Sequence, residues 1–149
     1  MMDNRRYPSH PIPGVGAIVV SKKGILLARR DKAPGTGLWS IPGGAVENGE
    51  TQKDSVYREV LEETGIECEV ITFVSTADLI TLDDSNRVEF HFLLNHYLAR
   101  AIGGELKPEF PDGEVGWFHP DNLPDDMANQ ELVDMIASVK DQIHKLMHD

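Results

Sequence analysis

The sequence predicts a mixed β-sheet sandwiched between α-helices, an α/β (α+β) fold in one domain over residues 1–149. Three observations carry this reading. Apolar and β-branched runs outnumber helical patterns, the runs come in pairs joined by short polar turns, and each of the two helical patterns has an apolar stripe that needs a sheet to cover it. A chain of 149 residues can bury a proper core without covalent staples, and its single cysteine, Cys68, permits no internal disulfide.

The runs "GVGAIVV" and "GILLARR", joined by the polar "SKKG", read as a hairpin. In "DKAPGTGLWSIPGGAVENGE" five glycines and two prolines exclude regular structure, except for a brief strand near Leu38 to Ile41. A strong helix follows. Thr51 is placed to cap it, with Asp54 three residues on, and Gly65 stops it; Val56, Val60 and Leu61, with Tyr57, form its expected buried side. "IECEVITFVSTADLITL" and "RVEFHFLLNHYLAR" read as two strands turning at "DDSN", with Cys68 facing inward. The carboxylate-rich loop "GGELKPEFPDGE" leads to a short strand in "VGWFH". A final helix over about residues 129–147 carries Leu132, Ile136, Val139, Ile143 and Leu146 at helical spacing.

Composition narrows the function. The formal charge of -11 argues against nucleic acid or an anionic membrane as the main partner, since such surfaces need basic patches. A phosphorylated substrate would instead need positive charge supplied locally, which divalent cations held by carboxylates can provide. The opening "MMDNRRYPSHPIPG" is polar and broken by prolines, and no later run approaches transmembrane length, so a cytoplasmic setting is expected.

The stretch "REVLEETG" is where chemistry enters. Glu59, Glu62 and Glu63 project from one face of the helix. Arg58 can serve Glu62 one turn away, but no basic residue stands at that spacing from Glu59 or Glu63. Such a cluster is either a solvated acidic face or a cation site, and its neighbours decide. Reading "GAVENGETQKDSVYREVLEETGI" as a whole, Gly44, Glu50, Arg58, Glu59, Glu62, Glu63 and Gly65 stand in an ordered array ending at Ile66. The window 44–66 resembles the Nudix box, G-x5-E-x7-R-E-U-x-E-E-x-G-U with U aliphatic, at every defined position.

The resemblance covers about residues 14–124. It looks closest to the ADP-ribose pyrophosphatase-like (MutT/Nudix) branch of the Nudix hydrolases, on "GVGAIVV", "LLARR", "GLWSIPGGAVENGE" and "VEFHFLLNHYLARAIGGEL". It implies metal-dependent hydrolysis of the pyrophosphate bond of a nucleoside diphosphate linked to another moiety. Magnesium is the implied cation, with manganese as the alternative. Glu59 and Glu63 become metal ligands, Glu62 a third ligand or a bridge through water, and the Gly44 carbonyl a backbone ligand. Glu50, Arg58, Gly43 and Gly65 are implied to support the site, Glu50 and Arg58 through an ion pair. The general base would come from the helix or from Glu105, Glu109, Asp112 or Glu114 on the later loop, with Glu114 favoured for its place three residues before Trp117. Arg29 and Trp39 are candidates to touch substrate, and "ARR" at residues 28–30 to reach a phosphate.

ADP-ribose or a similar ADP-sugar is the expected substrate. A nucleoside triphosphate pyrophosphohydrolase that sanitises the nucleotide pool is the alternative within the same chemistry, and a non-catalytic nucleotide sensor the alternative outside it. Homodimerisation stays open. His144 and His148 have metal-ligand spacing but sit near the chain end, and His91, His96 and His119 form no pattern.

Overall fold

β1 (Ile12–Ser21) runs through the middle of the sheet, and its unbroken apolar run is explained by cover on both faces. In this computed structural model, residues 5–149 are described. The opening four residues of the polar stretch MMDNRRYPSHPIPG lie outside them. β1 pairs with β2 (Gly24–Arg29) at Val20↔Ile25, giving the expected hairpin, and lies parallel to β6 (Val88–Gly104) from Ile12↔Phe92 to Val20↔Arg100. β3 (Trp39–Ser40) and β7 (Val115–Phe118) pair with β2, and β5 (Ile66–Leu82) forms the long hairpin with β6. The sheet has seven strands, ordered β3-β2-β1-β6-β5 along its main path.

One strand had no counterpart in the sequence reading. β4 (Gly43–Ala45) pairs antiparallel with Gly14–Gly16 of β1 despite its two glycines. Breaker residues argue against a strand because they pack little, but here they admit the neighbouring chain: a Cβ on Gly43 would lie 2.1 Å from the Val15 carbonyl oxygen.

Alternation along β1 splits the core in two. Val15, Ala17 and Val19 face α1 (Gln52–Thr64) and join Val56, Val60, Ile66 and Cys68; Ile18 and Val20 face the opposite layer. Cys68 faces inward as expected, and burial raises its thiol pKa to about 11.

The opposite layer corrects the single C-terminal helix. It is two helices, α2 (Gln130–Ser138) and α3 (Lys140–Met147), broken at Val139, whose φ of -117° and ψ of 21° leave the helical region. Leu132, Ile136, Val139 and Ile143 are buried as the stripe predicts, while past the break Met147 is buried and Leu146 only partly so. α1 also departs from its expected buried side: Leu61 is 50% and Tyr57 37% exposed, and Ser55 and Thr64 are buried instead. No helix among the described residues is long and apolar enough to cross a membrane.

Candidate active site

α1 begins and ends as its sequence requires. The Thr51 hydroxyl accepts the Asp54 N–H at 3.1 Å, and Gly65 closes the helix with φ 78° while its N–H donates to the Leu61 carbonyl at 2.9 Å. Gly65 serves a second purpose, because a Cβ there would lie 2.2 Å from the Glu105 carbonyl oxygen. Together with the Lys107 N–H, which donates to the Thr64 carbonyl at 2.8 Å, this docks the loop after β6 onto the end of α1.

Arg58 organises the carboxylates before α1 and in its middle. Its Nε and Nη2 donate to the two oxygens of Glu50 at 2.6 and 2.9 Å, and Nη2 also reaches the Ala45 carbonyl at 3.2 Å. The Arg58 hydrogen bonds and the Glu47 N–H hold the Glu50 carboxyl down at about 2. Glu50 and Arg58 thus tie the loop before α1 to the helix. Spacing had left Glu59 without a basic partner, yet Arg58 Nη1 donates to it at 2.8 Å, closer than the 3.4 Å to Glu62 one turn on. The long guanidinium side chain folds back across its own helix, so sequential neighbours meet.

Glu59 lies against β4. A Cβ on Gly44 would fall 2.7 Å from its carboxylate, so only glycine lets the side chain come this close. Glu63, by contrast, has no cationic hydrogen-bond partner among the described residues and accepts the Gly43 N–H at 2.8 Å. Burial and then the neighbouring Glu59 charge push its pKa up to about 8, and burial also raises that of Glu59. Glu62 is half exposed.

Glu63 lines a cleft of about 450 Å³, walled by Arg29 and Arg30 at the end of β2 and by the loop from Pro108 to Glu114. Within it the two arginines differ. Arg29 donates to Glu114 at 2.9 Å, to Asp126 at 2.8 Å and to the Gly37 carbonyl at 2.8 Å, and its guanidinium covers the Trp39 ring at 4.7 Å. Trp39 itself is 6% exposed and packs edge-on against Phe118 in the core. Trp39 therefore offers no open ring face to a nucleobase, and Arg29 already spends one face of its guanidinium on that ring. Arg30 is held by one bond, Nε to the Pro34 carbonyl at 2.5 Å, and its charge acts on Glu63. Of the loop carboxylates, Glu114 is engaged by Arg29, whereas Glu109 has its pKa raised by burial and by Asp31, Glu59 and Glu62, which ties it to the acidic cluster. Sequence spacing alone could not separate Glu109 from its loop neighbours, because the loop's path decides which of them comes near the α1 carboxylates.

The donor chemistry fits a hard divalent cation: carboxylates of Glu59, Glu62 and Glu63 with a main-chain carbonyl at Gly44, all oxygen, beside a strand with no Cβ in the way. Among the described residues no three His, Cys, Asp or Glu side chains already converge as a finished cage. Arg58 holds Glu59 through Oε1 and Gly43 holds Glu63 through Oε2, so an incoming ion would take the other oxygen of each carboxylate. Away from the cleft, the ring centroids of His119 and His144 lie 5.6 Å apart beside Asp121, and His96 is buried with its pKa lowered by burial.

Comparison with known proteins agrees with this fold. A family model described as NUDIX domain matches residues 10–139. Over 115 residues the chain is 34% identical to an ADP-ribose pyrophosphatase of Methanocaldococcus jannaschii, covering 77% of this chain and 66% of that one. Over 140 residues it is 31% identical to an RNA pyrophosphohydrolase of Zymomonas mobilis, covering 83% and 86%. A crystal structure of a MutT NUDIX hydrolase from Burkholderia pseudomallei matches with a TM-score of 0.74 at 34% identity, covering 88% and 99%. Other relatives are longer, and the chain spans 49% of one and 30% of another.

Proposed function

This chain belongs to the NUDIX domain family, and from that premise we propose that it hydrolyses the pyrophosphate bond of a nucleoside diphosphate joined to another moiety. ADP-ribose or a similar ADP-sugar is the substrate and magnesium the metal of this reading. The observation that carries it is Glu63, an acid raised to about 8 and set against the Gly43–Gly44 strand at the edge of a cleft that also holds Arg30 and Glu109. Such an acid is costly to ionise without a cation, which is the behaviour of a metal ligand. The likeness to an enzyme named ADP-ribose pyrophosphatase supports the choice of substrate.

Glu59, Glu63 and the more exposed Glu62 would hold the cation, with the Gly44 carbonyl beside them. When bound, the metal supplies charge neutralisation of the pyrophosphate and a lowered pKa for an attacking water. Arg30, less committed than Arg29, is suited to a phosphate oxygen. Water adds to one phosphorus as the bridging P–O bond breaks, and its proton passes to a carboxylate base. For ADP-ribose the products are AMP and ribose 5-phosphate. Glu109 is the better base than Glu114, which would first have to release Arg29.

The test is purified protein with magnesium, offered ADP-ribose, NADH, diadenosine polyphosphates and nucleoside triphosphates, with products identified. The expected result is AMP and ribose 5-phosphate from ADP-ribose at the highest kcat/KM. Preference for triphosphates would replace this reading with nucleotide-pool sanitising, and binding without turnover would replace it with a sensor.

A further inference from the structure

The far end of β1 carries a second feature that the proposed hydrolysis does not use. Where β1 turns into β2, Lys22 and Lys23 face Arg100 of β6 and the end of α3 across a pocket of about 390 Å³, lined also by Trp117 and Asp149. At about 3.3 Å per residue, Val20 lies roughly 17 Å along β1 from Val15, which pairs with Gly44 at the catalytic end. The pocket is therefore separate from the cleft. It gathers three cations around one acid in a chain whose net charge is -11.

Two details point to an anionic ligand. Asp149 already sits as an acid on the site, its Oδ2 2.8 Å from Arg100 Nη2 in an ion pair. That ion pair leaves the adjacent Arg100 Nε buried with no hydrogen-bond partner among the described residues, and a buried donor left unpaired is costly. A carboxylate reaching only Nη2 satisfies half of a guanidinium fork. A tetrahedral phosphate can accept from Nε and Nη2 together and still present oxygens to two lysines. The volume falls within the range of small-ligand sites, and Trp117 supplies an apolar wall.

We propose that this pocket binds the phosphate group of a small phosphomonoester, with Asp149 as the internal acid that the ligand displaces. The site rests on its own residues and does not depend on the reaction assigned to the cleft.

The chain has two tryptophans, Trp39 in the core and Trp117 at the pocket, so indole N–H signals in ¹⁵N-labelled protein distinguish the two regions. Inorganic phosphate and AMP are titrated separately into the full chain with a chelator present, which keeps metal-dependent binding at the cleft silent. The expected result is a saturable movement of the Trp117 signal with sub-millimolar affinity while Trp39 stays still. Replacing both turn lysines (Lys22→Gln with Lys23→Gln) should weaken binding at least about tenfold, and Asp149→Asn should tighten it several-fold. Both changes lie on the surface and leave the cleft intact. No saturable movement, an equal response to chloride at the same ionic strength, or affinity unaltered by the lysine changes would overturn the proposal.

Discussion

The two helical layers that sandwich the sheet are built to different ends. α2, α3 and the Val139 junction between them contribute Leu132, Ile136, Val139, Ile143 and Met147 to one core, whereas α1 contributes only Val56 and Val60 to the other. α1 is fixed instead by polar and backbone ties: Thr51, Thr64, Gly65 and the Arg58–Glu50 pair. Its remaining surface presents carboxylates. One layer is therefore held by burial and the other by an electrostatic frame around a site whose charges oppose each other.

The strongest way to break this contrast is to exchange the effects of the two layers. Glu63→Gln should lower turnover at least about a hundredfold, since changing even an outer partner of a metal site costs about 10–100-fold. Its metal-free melting temperature should hold or rise, because a disfavoured buried carboxylate is gone. Ile136→Ala should do the reverse, costing about 2–5 kcal/mol of stability with kcat per folded molecule unchanged. Near-normal activity in Glu63→Gln, measured beside its thermal melt, would remove Glu63 from the metal site.

A second test uses pH. The folded pKa of Glu63, about 8, lies above its ordinary value of 4.5, so the folded state holds a proton that the unfolded chain has lost over that interval. This contribution to stability is complete below about 4.5 and falls away as pH rises towards 8. In the metal-free protein the melting temperature should therefore decline across that range more steeply than in Glu63→Gln. Magnesium should reverse the decline at the alkaline end, since a ligand at a hundred times its Kd stabilises the folded state by about 2.7 kcal/mol. Parallel melting curves for the two proteins would mean that Glu63 is not the group responsible.

How far the sequence revealed this contrast depended on the kind of signal. The caps of α1 were legible because Thr51 and Gly65 act through local backbone geometry, and the β5–β6 hairpin because its turn residues do the same. The break at Val139 was not, since the apolar spacing continues across it and periodicity cannot register a change of axis. Leu61 misled for a related reason: it falls on the apolar side of the helix, but α1 leans on the sheet through a narrow seam of two valines. At the site, the box positions were readable as an ordered string. The choice of Arg58 for Glu59 was not, because pairing by spacing ignores a side chain long enough to fold back.

The smallest expected effect concerns Arg29, which composition alone makes as good a phosphate ligand as Arg30. The structure separates them by what each has already bonded. Arg29 gives its donors to Glu114, Asp126 and Gly37 and its face to Trp39, so it braces the cleft wall. Arg29→Lys keeps the charge but loses the planar fork, so it should lower stability only slightly and change KM by no more than about threefold. Arg30→Lys should raise KM by about tenfold or more while leaving stability nearly unchanged, since among the described residues its side chain makes a single hydrogen bond, to the Pro34 carbonyl. Steady-state kinetics on the two variants decides the matter. If the larger KM effect followed Arg29, the bonds drawn around it would have to open on substrate binding, and the cleft wall would belong to the moving part of the molecule rather than to its frame.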